Sequence, residues 1–177
     1  ARSVWWDKQD NSEKGTLLLK SLFDGKKLFD FPKSVEMLIK IVEMSSNEDN
    51  DILLDFFSGS ASFAHSVMEQ SVNDKVKRKY IAIQLPAELN IKIDSQKNAF
   101  NFLSENGYPT TLDYIGFERI IRAAKKIKET NKEKLLAENI NLDFGFKHFN
   151  LKNTNQNTLD KCETFDKASL LGDATIL

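Results

Sequence analysis

A short apolar run, Ile52-Leu53-Leu54-Asp55-Phe56-Phe57, constrains this chain more than any other feature. Only Asp55 interrupts it, and such runs belong to strands buried on both faces, as in a parallel sheet. Five small residues follow, Ser58-Gly59-Ser60-Ala61-Ser62, before Phe63, Ala64, Val67 and Met68 resume helical spacing. A polar, basic loop over residues 73–79 leads into a second apolar run, Tyr80-Ile81-Ala82-Ile83. Strand, tight turn, helix, loop and strand in that order predict a βαβ unit with a right-handed crossover. The expected class is α/β.

The flanking segments add helices. Asn11-Ser12-Glu13-Lys14-Gly15 reads as a loop and Asp24-Gly25 as a turn. After Pro32, Ser34 is placed to cap a helix whose Val35, Leu38, Ile39 and Val42 share one apolar face, and residues 45–50 end it. Asn98–Leu103 is a short helix candidate closed by Asn106-Gly107 and Pro109. Phe117, Ile120, Ile121, Ala124 and Ile127 predict a strongly amphipathic helix to about Lys128, and alternation over Leu142–Leu151 predicts a late strand. Residues 1–150 are read as one cofactor-binding part and 151–177 as a polar tail that starts a further region.

Composition narrows the function classes. At 177 residues, with 41% apolar and 29% charged residues, the chain can bury a core of one domain. The net charge of -1 supplies no global cationic field, so any nucleic-acid contact must come from a local patch. A single cysteine, Cys162, rules out an intrachain disulfide framework, and no apolar run approaches the roughly 20 residues a bilayer requires. Position 1 is Ala, which fits either removal of an initiator Met or a piece of a longer protein.

The turn after the first strand is the candidate ligand site. Small side chains let main chain approach a ligand, Gly59 tolerates positive φ, and helix-start N–H groups face the strand's carboxyl end. Asp55 is placed to meet a cationic ligand group; the plain alternative is ordinary helix capping. A nicotinamide dinucleotide prefers Gly-x-Gly-x-x-Gly and a terminal acid on the second strand, whereas this chain has Gly59-x-Ala61-x-x-Ala64 and Gln84. A P-loop needs Gly-Lys-Ser/Thr, which is missing.

Leu54-Asp55-Phe56-Phe57-Ser58-Gly59-Ser60-Ala61-Ser62-Phe63-Ala64-His65 resembles the S-adenosylmethionine motif of amino-methylating DNA methyltransferases, Asp-(Pro/Phe)-Phe-x-Gly-Ser-Gly-Thr-Thr. Phe29-Asp30-Phe31-Pro32-Lys33-Ser34 resembles the motif before it, and Arg78–Pro86 the second strand with its Gln-Leu-Pro ending. Gly107-Tyr108-Pro109-Thr110 and Ile115-Gly116-Phe117-Glu118-Arg119-Ile120 resemble the segment that follows, while Val4–Asp7 and Gly15-Thr16 also fit. In this order the motifs are similar to the modification subunit of type III restriction–modification systems.

The resemblance implies a partial Rossmann-like methyltransferase fold, a central sheet with flanking helices. It implies S-adenosylmethionine as cofactor. Asp55 would face its ammonium, Ser58, Gly59, Ser60, Ala61 and Ser62 its methionine end, and Lys33 and Ser34 its carboxylate. Phe57 would pack on its apolar surface, Gln84 on the ribose and Leu85, with Pro86, beside the adenine. It implies an adenine-N6 DNA methyltransferase acting on DNA, a restriction subunit as partner, a homodimer of the parent enzyme and a cytoplasmic setting without membrane contact.

Two departures stand out. Ala61 replaces Gly and Ser62-Phe63 replaces Thr-Thr. The three prolines, Pro32, Pro86 and Pro109, are never adjacent, so the Asp/Asn-Pro-Pro-aromatic loop that holds the target amine is missing, and the resemblance places it upstream. The chain alone is therefore expected to be inactive, with no catalytic residue of its own. The alternative is a non-catalytic module that binds S-adenosylmethionine or another subunit. A dinucleotide-dependent oxidoreductase is the weaker third reading.

Other features read plainly. His65 and His148 lack partners at metal-ligand spacing, and Cys162 has no evident base. The basic loop of Lys75, Lys77, Arg78 and Lys79, and the face shared by Arg119, Arg122 and Lys126, read as solvated charge or as a phosphate contact. Trp5 and Trp6 read as strand and core packing.

Overall fold

The computed structural model describes residues 10–138 and 142–151. Trp5, Trp6 and Cys162, and the 152–177 tail, lie outside the described residues. The chain separates after Gly145, and every described helix and strand belongs to the first unit.

The elements run α1 (Ser12–Leu22), α2 (Val35–Ser45), β1 (Ile52–Asp55), α3 (Ser62–Asp74), β2 (Lys79–Ala82), α4 (Asp94–Glu105), α5 (Leu112–Thr130) and α6 (Lys132–Ala137). β1 and β2 pair in parallel, Ile52 opposite Lys79 and Asp55 opposite Ala82, with α3 between them in sequence. The βαβ reading holds, and the fold is α/β. Among the described residues no helix is long and apolar enough to cross a membrane.

Burial of β1 is one-sided, contrary to the expectation of a strand covered on both faces. Leu53 packs with Val42 of α2 and Val67 of α3 in a buried cluster that also touches Tyr80. The opposite face leaves Ile52 64% exposed and Leu54 and Ile81 exposed as well. The described helices cover one side of the strand pair only.

α3 is the central helix and packs against both α2 and α5. The main core gathers Leu19 of α1, Met68 of α3, Leu103 of α4 and Ile115 and Ala123 of α5. Each fully buried aliphatic side chain of the leucine size contributes about 1.5–3 kcal/mol. Phe23 and Phe102 meet edge to face at 5.3 Å. α2 begins as expected, with Ser34 Oγ accepting from the Met37 amide at 3.3 Å.

Several expectations are corrected. Asn11–Gly15 is the start of α1 rather than a loop, because Asn11 acts as an N-cap whose Oδ1 accepts from the Lys14 amide at 3.0 Å. Residues 142–151 form no strand. Among the described residues alternation there has no partner strand to supply a ladder, and Phe144 is simply buried in the core. Of Arg119, Arg122 and Lys126, only Lys126 is exposed. Arg119 is wholly buried, Arg122 lies over the rings of Phe23 and Phe102 at 4.9 and 5.3 Å, and Lys126 reaches Ser21 Oγ at 3.4 Å. Arg78 is likewise withdrawn from the basic loop. It donates to Ser46 and Asp74 and ties the end of α2 to the end of α3.

Candidate functional site

Beyond the carboxyl end of β1 lies a hollow of about 820 Å³. Its walls are the 29–33 arm, the 54–60 segment, the first residues of α3 and Leu38 and Ile41 of α2. Of the residues singled out from sequence, Lys33, Asp55, Phe57, Ser58, Gly59, Ser60 and Ser62 line it. Ser34, Ala61, Gln84 and Leu85 stand outside the lining.

The turn is built by an unusual main-chain path. Gly59 has φ +52° and Ala61 φ +57°, so both are left-handed. At Ala61 this costs about 1–2 kcal/mol because its Cβ crowds the following carbonyl. The turn persists because β2 holds it. Ser58 N donates to Ile83 O at 3.0 Å, Gly59 N to Gln84 Oε1 at 2.7 Å and Ala61 N to Ser58 O at 2.7 Å. The bond to Gln84 was not legible in the sequence. It makes that side chain a brace for the turn, with Nε2 engaged on Leu85 O at 3.1 Å.

No side chain caps α3. Its first residues, Ser62 and Phe63, line the hollow, so the partial positive charge of a helix start is presented there. Asp55 accepts from the Phe57 amide through Oδ1 at 3.2 Å, while Oδ2 has no hydrogen-bond partner among the described residues. Lys33 is exposed at the same hollow. Ser34 caps α2 and donates to Glu36 Oε2 at 2.8 Å.

Aromatic side chains surround the opening. Phe57 is 86% and Phe31 75% exposed, with Phe56 exposed beside them. Solvent-facing rings around one concavity mark a surface shaped for an apolar ligand face. Phe31 also holds φ +53°, strained for a bulky residue. The space beside the Gly59 α-carbon is partly taken by the Phe29 ring, which an added Cβ would meet at 3.1 Å. Close approach at Gly59 is therefore made first by Phe29.

Behind the turn sits a buried polar cluster that sequence reading missed. Arg119 Nη1 donates to Ser62 Oγ at 2.6 Å, to Ser60 Oγ at 3.0 Å and to Ser60 O at 3.4 Å. Burial pulls its pKa down to about 10 against an opposing field from Glu69, so it remains a cation at neutral pH. His65 is buried next to it, and burial, with the Arg119 charge assisting, lowers its pKa despite the Glu69 contact. Neutral His65 donates from Nε2 to Glu69 Oε1 at 3.1 Å. Burial raises and the His65 bond lowers the Glu69 pKa, and lowering wins.

The sequence profile of a family described as DNA methylase matches residues 1–133. The chain is 33% identical over 165 residues to the type III restriction–modification enzyme StyLTI Mod subunit of Salmonella typhimurium, covering 93% of this chain and 23% of that protein. It is 28% identical over 176 residues to the EcoPI Mod subunit of Escherichia phage P1, covering 96% and 24%. The type II methyltransferase M.KpnI of Klebsiella pneumoniae is 28% identical over 104 residues, 59% of this chain and 24% of that protein. The chain thus spans about a quarter of the length of these curated relatives.

Proposed function

The chain belongs to the DNA methylase family, and we propose that it forms the S-adenosylmethionine-binding part of a DNA adenine-N6 methyltransferase of the type III modification kind. The observation that carries this reading is the hollow at the end of β1, whose walls join Asp55, Lys33 and the uncapped start of α3. A zwitterionic amino-acid end fits those groups. The free Asp55 oxygen suits its ammonium, and Lys33 with the α3 amides suits its carboxylate.

Exposed Phe57 supplies an apolar wall, while Gln84 and Leu85, just past β2 and outside the lining, act through the turn that Gln84 braces. At about 820 Å³ the hollow is within the size range of small-molecule sites. When bound, the cofactor supplies a methyl group on a sulfonium. The protein's part is to hold and orient it, since positioning dominates such transfers. The bare face of β1 and β2 is where further helices of a Rossmann-like sheet would pack, with further strands joining at its edges.

Relatives named as Mod subunits of type III restriction–modification enzymes support the further reading that the parent protein acts on DNA beside a restriction subunit, and we propose a homodimer of that parent. A second reading has one specific observation in its favour. Pro32, Pro86 and Pro109 are never adjacent, so the chain carries no Pro-Pro-aromatic loop and suits a module that binds cofactor without transferring methyl.

Calorimetry with S-adenosylhomocysteine and NAD tests the cofactor. Binding of the former with little or none of the latter is expected, and a preference for NAD would sink the proposal. Methyl transfer to adenine-containing duplex DNA by this chain alone would overturn its reading as a cofactor-binding part.

A further inference from the structure

We propose that Arg119 is the buried counter-charge through which the Ser58–Ser62 turn selects a ligand bearing a carboxylate. This rests on the reading that the turn receives the methionine end of S-adenosylmethionine. Arg119 belongs to α5, far from the turn in sequence, and is 0% exposed. Its three hydrogen bonds all go to the turn, through Nη1, and all end on neutral oxygens of Ser60 and Ser62. Nε and Nη2 have no partner among the described residues. No salt bridge to Arg119 exists among the described residues. Glu69 acts on it only through space while bonded to His65, which is neutral.

A full positive charge is therefore held in a poorly polarisable interior with no anion bonded to it, Glu69 offsetting it only through space, an arrangement that is costly in a folded protein. It sits directly behind a helix start that already carries partial positive charge. Both charges act at one turn, whose Ser60 and Ser62 line the hollow and bond Arg119. Being buried, Arg119 does not touch the ligand. It is a positioning residue that fixes the turn and a source of field across a few ångströms of protein. An anionic group at the turn would add to the partial offset that Glu69 supplies through space. This also accounts for the Ile115-Gly116-Phe117-Glu118-Arg119 segment, which no ligand contact explains. Gly116 lies against Gly59 O, at 3.4 Å from the position of an added Cβ, and so brings Arg119 within reach of the serines.

The test pairs two ligands, S-adenosylhomocysteine and 5′-methylthioadenosine, which share the nucleoside and thioether but differ in the amino-acid end. Affinities are measured by calorimetry on the full chain. In Arg119→Met, S-adenosylhomocysteine binding should weaken about 30-fold and 5′-methylthioadenosine binding by less than about 3-fold, as a lost charge acting over several ångströms dictates. Equal losses for both ligands would reduce Arg119 to a structural brace and overturn the proposal. Should Arg119→Met fail to fold, Arg119→Lys decides. It keeps the charge and gives up the planar fork, so the preference for the carboxylate-bearing ligand should stay within about 3-fold of the parent, and its disappearance overturns the proposal. A parent protein that binds neither ligand overturns the cofactor reading itself, an outcome distinct from equal losses.

Discussion

Two helices lie against the hollow's walls, each through a glycine. Gly15 of α1 lies against the main chain of Pro32 and Lys33, and Gly116 of α5 lies against the Gly59–Ala61 turn. In sequence the two are alike, a lone glycine inside a helix that costs about 1 kcal/mol relative to Ala. In the structure they differ. A Cβ on Gly15 would stand 2.7 Å from Lys33 O and nearer still to Pro32 O, both unyielding main-chain atoms. A Cβ on Gly116 would stand 3.4 Å from Gly59 O and 3.5 Å from the Ala61 Cβ, an ordinary contact. The arm that carries Lys33 is thus held by main-chain contact. The turn that carries Ser60 and Ser62 is held by polar groups, Gln84 at Gly59 and Arg119 behind it, with His65 and Glu69 next to Arg119.

The contrast is easiest to break at Gly15. Gly15→Ala is expected to lower the unfolding free energy by about 2–3 kcal/mol, since overpacking outweighs the gain in helix propensity. Urea unfolding measures it, and a variant as stable as the parent would show that the arm moves aside freely.

Asp55→Ala should weaken S-adenosylhomocysteine about 10-fold in calorimetry while changing stability by less than about 1 kcal/mol, because its bond is to a neighbouring exposed amide. A stability loss as large as the binding loss would make Asp55 a structural carboxylate.

Acid probes the turn's polar backing alone. Burial lowers the His65 pKa below its ordinary value of 6.5, so the unfolded chain binds the proton first. Its contribution is full above pH 6.5 and declines as pH falls through that value, by at most about 1.4 kcal/mol per pH unit. Glu69 has a lowered pKa, so its contribution is lost only further down, below 4.5. Chemical unfolding between pH 7 and 5 should show the His65 slope, and His65→Gln should flatten it. A slope unchanged in that variant would assign it elsewhere.

The smallest effect sharpens the comparison from the other side. Gly116→Ala should leave stability unchanged or raise it by up to about 1 kcal/mol. A loss comparable to that at Gly15 would mean that α5 has no more room than α1.

Local pattern made much of this legible. The apolar runs at 52–57 and 80–83 marked both strands of the parallel pair, the small residues at 58–62 marked the turn, and Ser34 marked the start of α2. The same kind of reading failed where local chemistry has two uses. Asn11 marks a loop or a cap, and the alternation after Leu142 marks a strand only if another strand lies beside it. The hollow's lining was legible for the residues near the turn, but the brace by Gln84 and the Phe29 ring against Gly59 were not.

The sequence by itself determined the order of elements, the position of the small-residue turn and the family, because periodicity, capping and motifs act over a few residues. Tertiary structure alone decided that Arg119 is buried under Ser60 and Ser62, that Arg78 locks two helix ends, that one face of β1 stays bare, and that Gly15 has no room while Gly116 does. Each of these depends on atoms separated by tens of residues along the chain, and a side chain's charge, exposure and free space exist only once those distant atoms are brought together.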